Sequence, residues 1–72
     1  MALKSLNLRQ AIVERIKDKD EQELTEVIDD AIGNDERALP GLGVIFELIW
    51  QHIDDQNRQH LVSTLRQHLK PI

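Results

Sequence analysis

Histidine is the side chain in this sequence best suited to bind a metal ion, and the chain has three: His52, His60 and His68. His60 and His68 are eight residues apart, which is two helical turns, so they cannot both reach one ion from one helix. The HExxH pattern is absent, and so is Cys. We interpret the histidines as solvated or surface-edge side chains and expect no metal site.

Two pairs of adjacent aspartates, Asp29-Asp30 and Asp54-Asp55, have the side chains needed for general acid–base catalysis. The first pair falls on the flank of a predicted helix. The second falls at a predicted helix start, where a carboxylate accepts hydrogen bonds from free N–H groups. Gly41 and Gly43 match neither phosphate-binding pattern, GxGxxG or GxxxxGK[ST], and we expect them to let another helix approach closely. The sequence therefore predicts no catalytic residue and no cofactor.

Glu47 is the one Asp, Glu, Lys or Arg residue in the apolar stretch that runs from Pro40 to Ile53. A carboxylate in such surroundings needs either water or a cation. Arg9 and Arg15 are the nearest donors if the preceding helices pack on this stretch. We predict a structural ion pair between Glu47 and Arg9; exposure of Glu47 on a polar stripe is the alternative.

Apolar residues recur at helical spacing in four segments, and no segment shows the alternation of a strand. This pattern predicts an all-α fold, a small four-helix bundle with an apolar central third helix. We expect one domain over residues 1–72, with helices at about 6–17, 21–32, 40–53 and 55–69.

The predicted helix ends follow from residues that satisfy free backbone groups. Ser5 or Asn7 precedes the first helix, and Asp20 with Glu23 three residues later resembles a capping box at the start of the second. Gly33, followed by Asn, tolerates the left-handed conformation that closes a helix. Asp54 or Asp55 is expected to cap the last helix.

The third segment is apolar around most of its circumference, which predicts cover from several sides. At about 100° per residue, one face collects five apolar side chains: Leu42, Ile45, Phe46, Ile49 and Ile53. We expect Phe46 and Ile49 to be among the most buried side chains. The residues predicted to pack against them are Ile12, Ile28 and Leu65.

Apolar groups also flank this face, with Trp50 on one side and Val44 and Leu48 on the other. Three amphipathic helices can cover the face without covering both flanks. We therefore predict a protein interface at Val44, Leu48 and Trp50, used by an unknown protein partner or by a second copy. In the alternative, the last helix and Ile72 fold back over the flank in a monomer.

Charge and hydropathy narrow the range of partners. The net charge of −4 disfavours a surface for nucleic-acid phosphates, and the longest apolar run, residues 44–46, is far too short to cross a bilayer. The first residues lack the apolar core of a signal peptide. We expect no nucleic acid and no membrane among the partners, and a cytoplasmic type of compartment.

Several stretches together resemble the small acid-soluble spore protein I family of endospore-forming bacteria. The most specific is LPGLG…FE…W within residues 39–50; the others are LNLRQAI at 6–12, EVIDDAI at 26–32, and the C-terminal residues 65–71. The resemblance covers nearly the whole chain, and departures fall in the joints at residues 17–22 and 54–59.

The resemblance implies a minor protein of the dormant spore, made in the forespore and held in the spore core. It implies no catalytic residue, because the family is not an enzyme family, and a structural or storage role without a known molecular activity. The alternative is a protein–protein interaction module or homodimer unrelated to sporulation. In strong acid the carboxylates are neutral, while the nine Lys and Arg and the three His are charged, so repulsion keeps a small chain dissolved.

Overall fold

The computed structural model describes residues 7–69, and within that range the chain is helical and contains no strand. Four α-helices follow one another: α1 (Leu8–Ile16), α2 (Glu21–Ala31), α3 (Leu39–His52) and α4 (Asp55–Gln67). The predicted all-α fold is confirmed, and each helix begins and ends within two residues of its predicted bounds. A short 3-10 turn, Glu36–Ala38, precedes α3 and was not predicted. Residue 6 and the candidate cap Ser5 lie outside the described residues.

The helix starts are held by side chains that accept hydrogen bonds from the backbone. The carboxamide of Asn7 and the carboxylates of Asp20 and Asp54 each accept from the N–H three residues on, at 2.8 Å. Glu23 completes the predicted capping box by accepting from the Asp20 N–H at 3.0 Å. Gly33, at a φ of 71°, lies in the left-handed region just after α2. The local sequence signals therefore predicted correctly where these helices begin and end.

The helix α3 is the centre of the arrangement. Helices α1 and α2 and the 3-10 turn all pack against it. Two residues separate the end of α3 from the start of α4, and next to this connection Arg58 donates to the carbonyl of Trp50 at 2.9 Å. The elements that precede α3 in the chain thus pack against it. Helix α4 follows α3 in the chain.

The buried centre is not where the sequence predicted it. Among residues 7–69, Val44 is the one buried hydrophobic side chain, 8% exposed, whereas Phe46 is 50% and Ile49 44% exposed. Ile12 and Ile28 are half-buried, and Leu65 is exposed. The prediction that Phe46 and Ile49 form the core is wrong.

The physical reason lies in the all-round apolar character of α3. When nearly every direction is apolar, periodicity alone cannot select the arc that faces the other helices. Val44 lies about 160° around the helix from Phe46, and Glu47 lies between them. Arg9 of α1 binds Glu47, which brings α1 to the Val44 side and leaves Phe46 open.

The two glycines of α3 do not mark a helix crossing. A Cβ atom built at Gly41 or at Gly43 would meet no atom of another helix within 4 Å. The expectation that their missing side chains let another helix approach is therefore wrong.

Candidate functional site: an apolar groove between α3 and α4

An open groove of about 700 Å³ lies between α3 and α4. Five apolar side chains form its walls: Phe46 and Trp50 from α3, and Leu61, Val62 and Leu65 from α4. Four polar residues complete its lining: Arg9, Glu47, Gln51 and Thr64. We call this surface the α3–α4 groove. Its shape and apolar walls suit it to take up apolar side chains, which is the chemistry of a binding surface.

The groove is open because α4 turns its apolar stripe to solvent. Val62 is 48% and Leu65 56% exposed, and Leu69, just beyond the helix, is 64% exposed. The sequence pattern identified this stripe correctly as apolar but assigned it to the core. These exposed large apolar groups form a contiguous set along one side of α4.

One end of the groove is fixed by contacts around Trp50. The Phe46 and Trp50 rings lie 5.6 Å apart between centroids, tilted by 36°. The guanidinium of Arg58 stacks over Trp50 at 5.6 Å from the ring centroid, while its Nε donates to the Trp50 carbonyl. Arg58 is also near Asp55, at 3.4 Å. The two contacts between Arg58 and Trp50 link the first turn of α4 to the end of α3.

The polar edge of the groove is formed by the pair of Arg9 and Glu47. Nε of Arg9 donates to one carboxylate oxygen at 2.7 Å, and Nη2 donates to the other at 2.8 Å. The hydrogen bonds from Arg9 lower the pKa of Glu47, and the same contact raises the pKa of Arg9. Arg15, the other donor considered, lines a separate cleft between α1, α2 and the start of α3.

The three residues predicted as an interface are distributed differently. Trp50 is half-buried and lines the α3–α4 groove. Leu48 is 40% exposed but points away from the groove, about 160° around α3 from Phe46. Val44 is buried, so it is not part of an exposed surface. The groove residues that the sequence reasoning did not place in an interface are Phe46, Leu61, Val62 and Leu65.

Three of the side chains considered for chemistry make local hydrogen bonds. Nδ1 of His52 lies 2.7 Å from the Leu48 carbonyl, and Nδ1 of His68 lies 2.8 Å from that of Thr64. Asp54 caps α4. Within residues 7–69 no group of three or more His, Cys, Asp or Glu side chains is placed to hold a metal ion.

No helix within the described residues is both long enough and apolar enough to cross a membrane.

Comparison with known proteins places these features in a family. The family model described as small, acid-soluble spore protein I matches residues 6–69, which contain every residue of the groove. The chain belongs to this family. It is 44% identical over 66 residues to small, acid-soluble spore protein I of Bacillus licheniformis, an alignment that covers 90% of this chain and 94% of the relative.

Two other members of the spore protein family show a similar level of identity. The protein of Bacillus subtilis is 42% identical over 67 residues, covering 92% of this chain and 94% of the relative. That of Geobacillus kaustophilus is 42% identical over 66 residues, covering 90% and 96%. The predicted resemblance is confirmed, and the family is one of spore proteins and not a known enzyme family. No solved structure shows a significant match to the chain.

Proposed function

We propose that this spore protein is a non-catalytic component of the spore core, made in the forespore, whose structural role depends on binding through the α3–α4 groove. The observation that carries the proposal is the groove itself, with Phe46, Val62 and Leu65 each about half exposed on adjoining walls. Exposed apolar area of this kind is costly in water, and binding a partner removes the cost.

The chemistry of the groove supports binding over catalysis. Glu47 is its one carboxylate, and both oxygens accept hydrogen bonds from Arg9. Because this contact lowers the pKa of Glu47, the side chain carries no proton to donate near neutral pH. The same two hydrogen bonds occupy the oxygens that would act as a base or nucleophile.

A structural role fits the groove better than storage of amino acids. A stored protein needs only its composition, and no particular surface has to stay apolar. The partner in the structural role is a second copy of the chain or another spore protein. Nucleic acid does not fit an apolar groove whose polar edge is an already paired Arg9 and Glu47.

Replacing the gene in the source bacterium distinguishes these roles. The test variant is Leu65→Glu, which puts a charge on the groove wall. The matched control is Leu39→Glu, because Leu39 is equally exposed, 59% against 56% for Leu65, but lies at the start of α3 outside the groove. Spores that carry each variant are compared with a gene deletion for resistance and for the time course of germination.

The structural role predicts that Leu65→Glu spores behave like the deletion while Leu39→Glu spores behave like the unmodified strain. Immunoblots of purified spores and of growing cells, fractionated to isolate the core, must find the protein in the core alone. If both variants behave like the unmodified strain although the deletion has a phenotype, the groove is not required and storage is the better explanation. Detection in growing cells would contradict the proposed location.

A further inference from the structure

We infer that the occupant of the α3–α4 groove is the α4 stripe of a second copy, inserted reciprocally so that two chains form a symmetric dimer. This deepens the proposed function, because it names the partner of the groove. The stripe consists of the apolar residues Leu61, Val62, Leu65 and Leu69, three of which also form the outer wall of the groove. A surface that is both wall and insert is self-complementary, as a two-fold interface requires.

The exposed area supports an interface of ordinary size. The chain exposes 6429 Å², whereas a compact monomer of 8.3 kDa exposes about 4,600 Å². Even if the nine residues outside 7–69 are assigned the full area of an unfolded chain, about 800 Å² of excess belongs to the described residues. One partner of a standard protein–protein interface buries about 800 Å².

The charges on the two helices favour this occupant. Between residues 56 and 69 the chain contains Arg58 and Arg66 but no carboxylate. Helix α3 contains a single acid, Glu47, and no Lys or Arg. Seating residues 56–69 of one copy along α3 of the other therefore brings no two acids together, and the basic residues of that segment meet a helix that has no Lys or Arg.

In the resulting dimer, α3 and α4 of both copies pack together. Each copy contributes the two consecutive helices α3 and α4, and two such pairs bring four helices together with the stripes inside. Phe46 of one copy then packs on Leu65 of the other. The half-exposed walls become the core that each separate chain lacks, since Val44 alone is buried within residues 7–69 of one copy.

Sedimentation of the full chain tests the inference. From about 10 μM to about 1 mM, the mass is expected to rise from 8.3 kDa to twice that value. Leu65→Glu is expected to stay at the monomer mass over the whole range, and Leu39→Glu to dimerise like the unmodified chain. Circular dichroism of both variants checks that the helices are retained.

A second measurement uses the unmodified chain and so does not depend on the folding of a variant. In an equal mixture of isotope-labelled and unlabelled chains, filtered NOE spectra are expected to show contacts between the Phe46 ring and the Leu65 methyl groups of different copies. A monomer mass at about 1 mM, or a dimer whose intermolecular contacts exclude Phe46 and Leu65, would overturn the inference. Neither result would touch the proposed function, which the comparison of spores carrying Leu65→Glu and Leu39→Glu decides separately.

Discussion

Arg9 and Glu47, 38 positions apart in the chain, form a two-pronged ion pair that joins α1 to α3 at the edge of the α3–α4 groove. A guanidinium and a carboxylate match each other's geometry when both pairs of atoms bond in parallel. The contact lies on the side of α3 that the first helix covers. On that side Val44 is buried, while Phe46 faces the groove.

The ion pair of Arg9 and Glu47 is expected to weaken in acid. Hydrogen bonds from Arg9 lower the pKa of Glu47, so the pair contributes stability above the ordinary glutamate pKa and loses it as pH falls through the lowered value. A carbon-13 titration of the Glu47 carboxyl should give a pKa below 4.5, the ordinary value. Arg9→Gln should return the pKa to that value, and Arg15→Gln should leave it lowered. An ordinary pKa in the unmodified chain would contradict the ion pair.

The location of the buried centre predicts unequal effects of one substitution at two valines. Val44 is 8% exposed and Val62 48%. Val44→Ala should lower the free energy of unfolding by about 1–3 kcal/mol, because it removes buried methyl groups and leaves a cavity. Val62→Ala should lower the free energy of unfolding by less than about 1 kcal/mol when measured at micromolar concentration, where chains are separate. Equal losses in urea unfolding would show that the two side chains are equally buried.

The contacts of Arg58 predict how firmly α4 is attached. Arg58 both stacks on the Trp50 ring and donates to the Trp50 carbonyl. Arg58→Ala should therefore shift tryptophan emission to the red and increase its quenching by acrylamide. Arg66→Ala, an exposed arginine on the same helix, should change neither quantity. If both variants leave the emission unchanged, Trp50 is not covered by Arg58.

We also predict no appreciable binding of duplex DNA at physiological salt. The net charge is −4, and several basic side chains are already paired with acids: Arg9 with Glu47, Lys17 with Glu14, Arg37 with Asp35, and Arg58 with Asp55. The negative net charge repels phosphate, and scattered basic residues do not form a stripe that could replace the counterions of DNA. Fluorescence anisotropy of a labelled duplex should stay flat as protein is added. A binding curve that weakens steeply with added salt would refute this prediction.

The helix ends could be predicted from the sequence because they depend on residues that are close together in the chain. The caps at Asn7, Asp20 and Asp54 and the left-handed Gly33 each act within four residues, and each was predicted. The packing could not be read in the same way. An α3 that is apolar all round gives no preferred direction, so the face around Phe46 was taken for the core.

The groove escaped prediction for a related reason. Helical periodicity identifies an apolar stripe such as that of α4, but it does not say whether the stripe is covered by the same chain or by another. The Arg9–Glu47 contact joins two residues far apart in sequence. Their pairing was expected from topology, but the positions of Val44 and Phe46 depend on how whole helices pack in three dimensions.

The claim that the α3–α4 groove is the working surface in the spore is tested most directly by site-specific cross-linking in intact spores. A photoreactive amino acid replaces Thr64, which lines the groove, or Gln22, which is exposed on α2 away from it. Irradiation should give one discrete product from position 64, at twice the chain mass of 8.3 kDa, and none from position 22. No product from position 64, or the same products from both positions, would contradict the account.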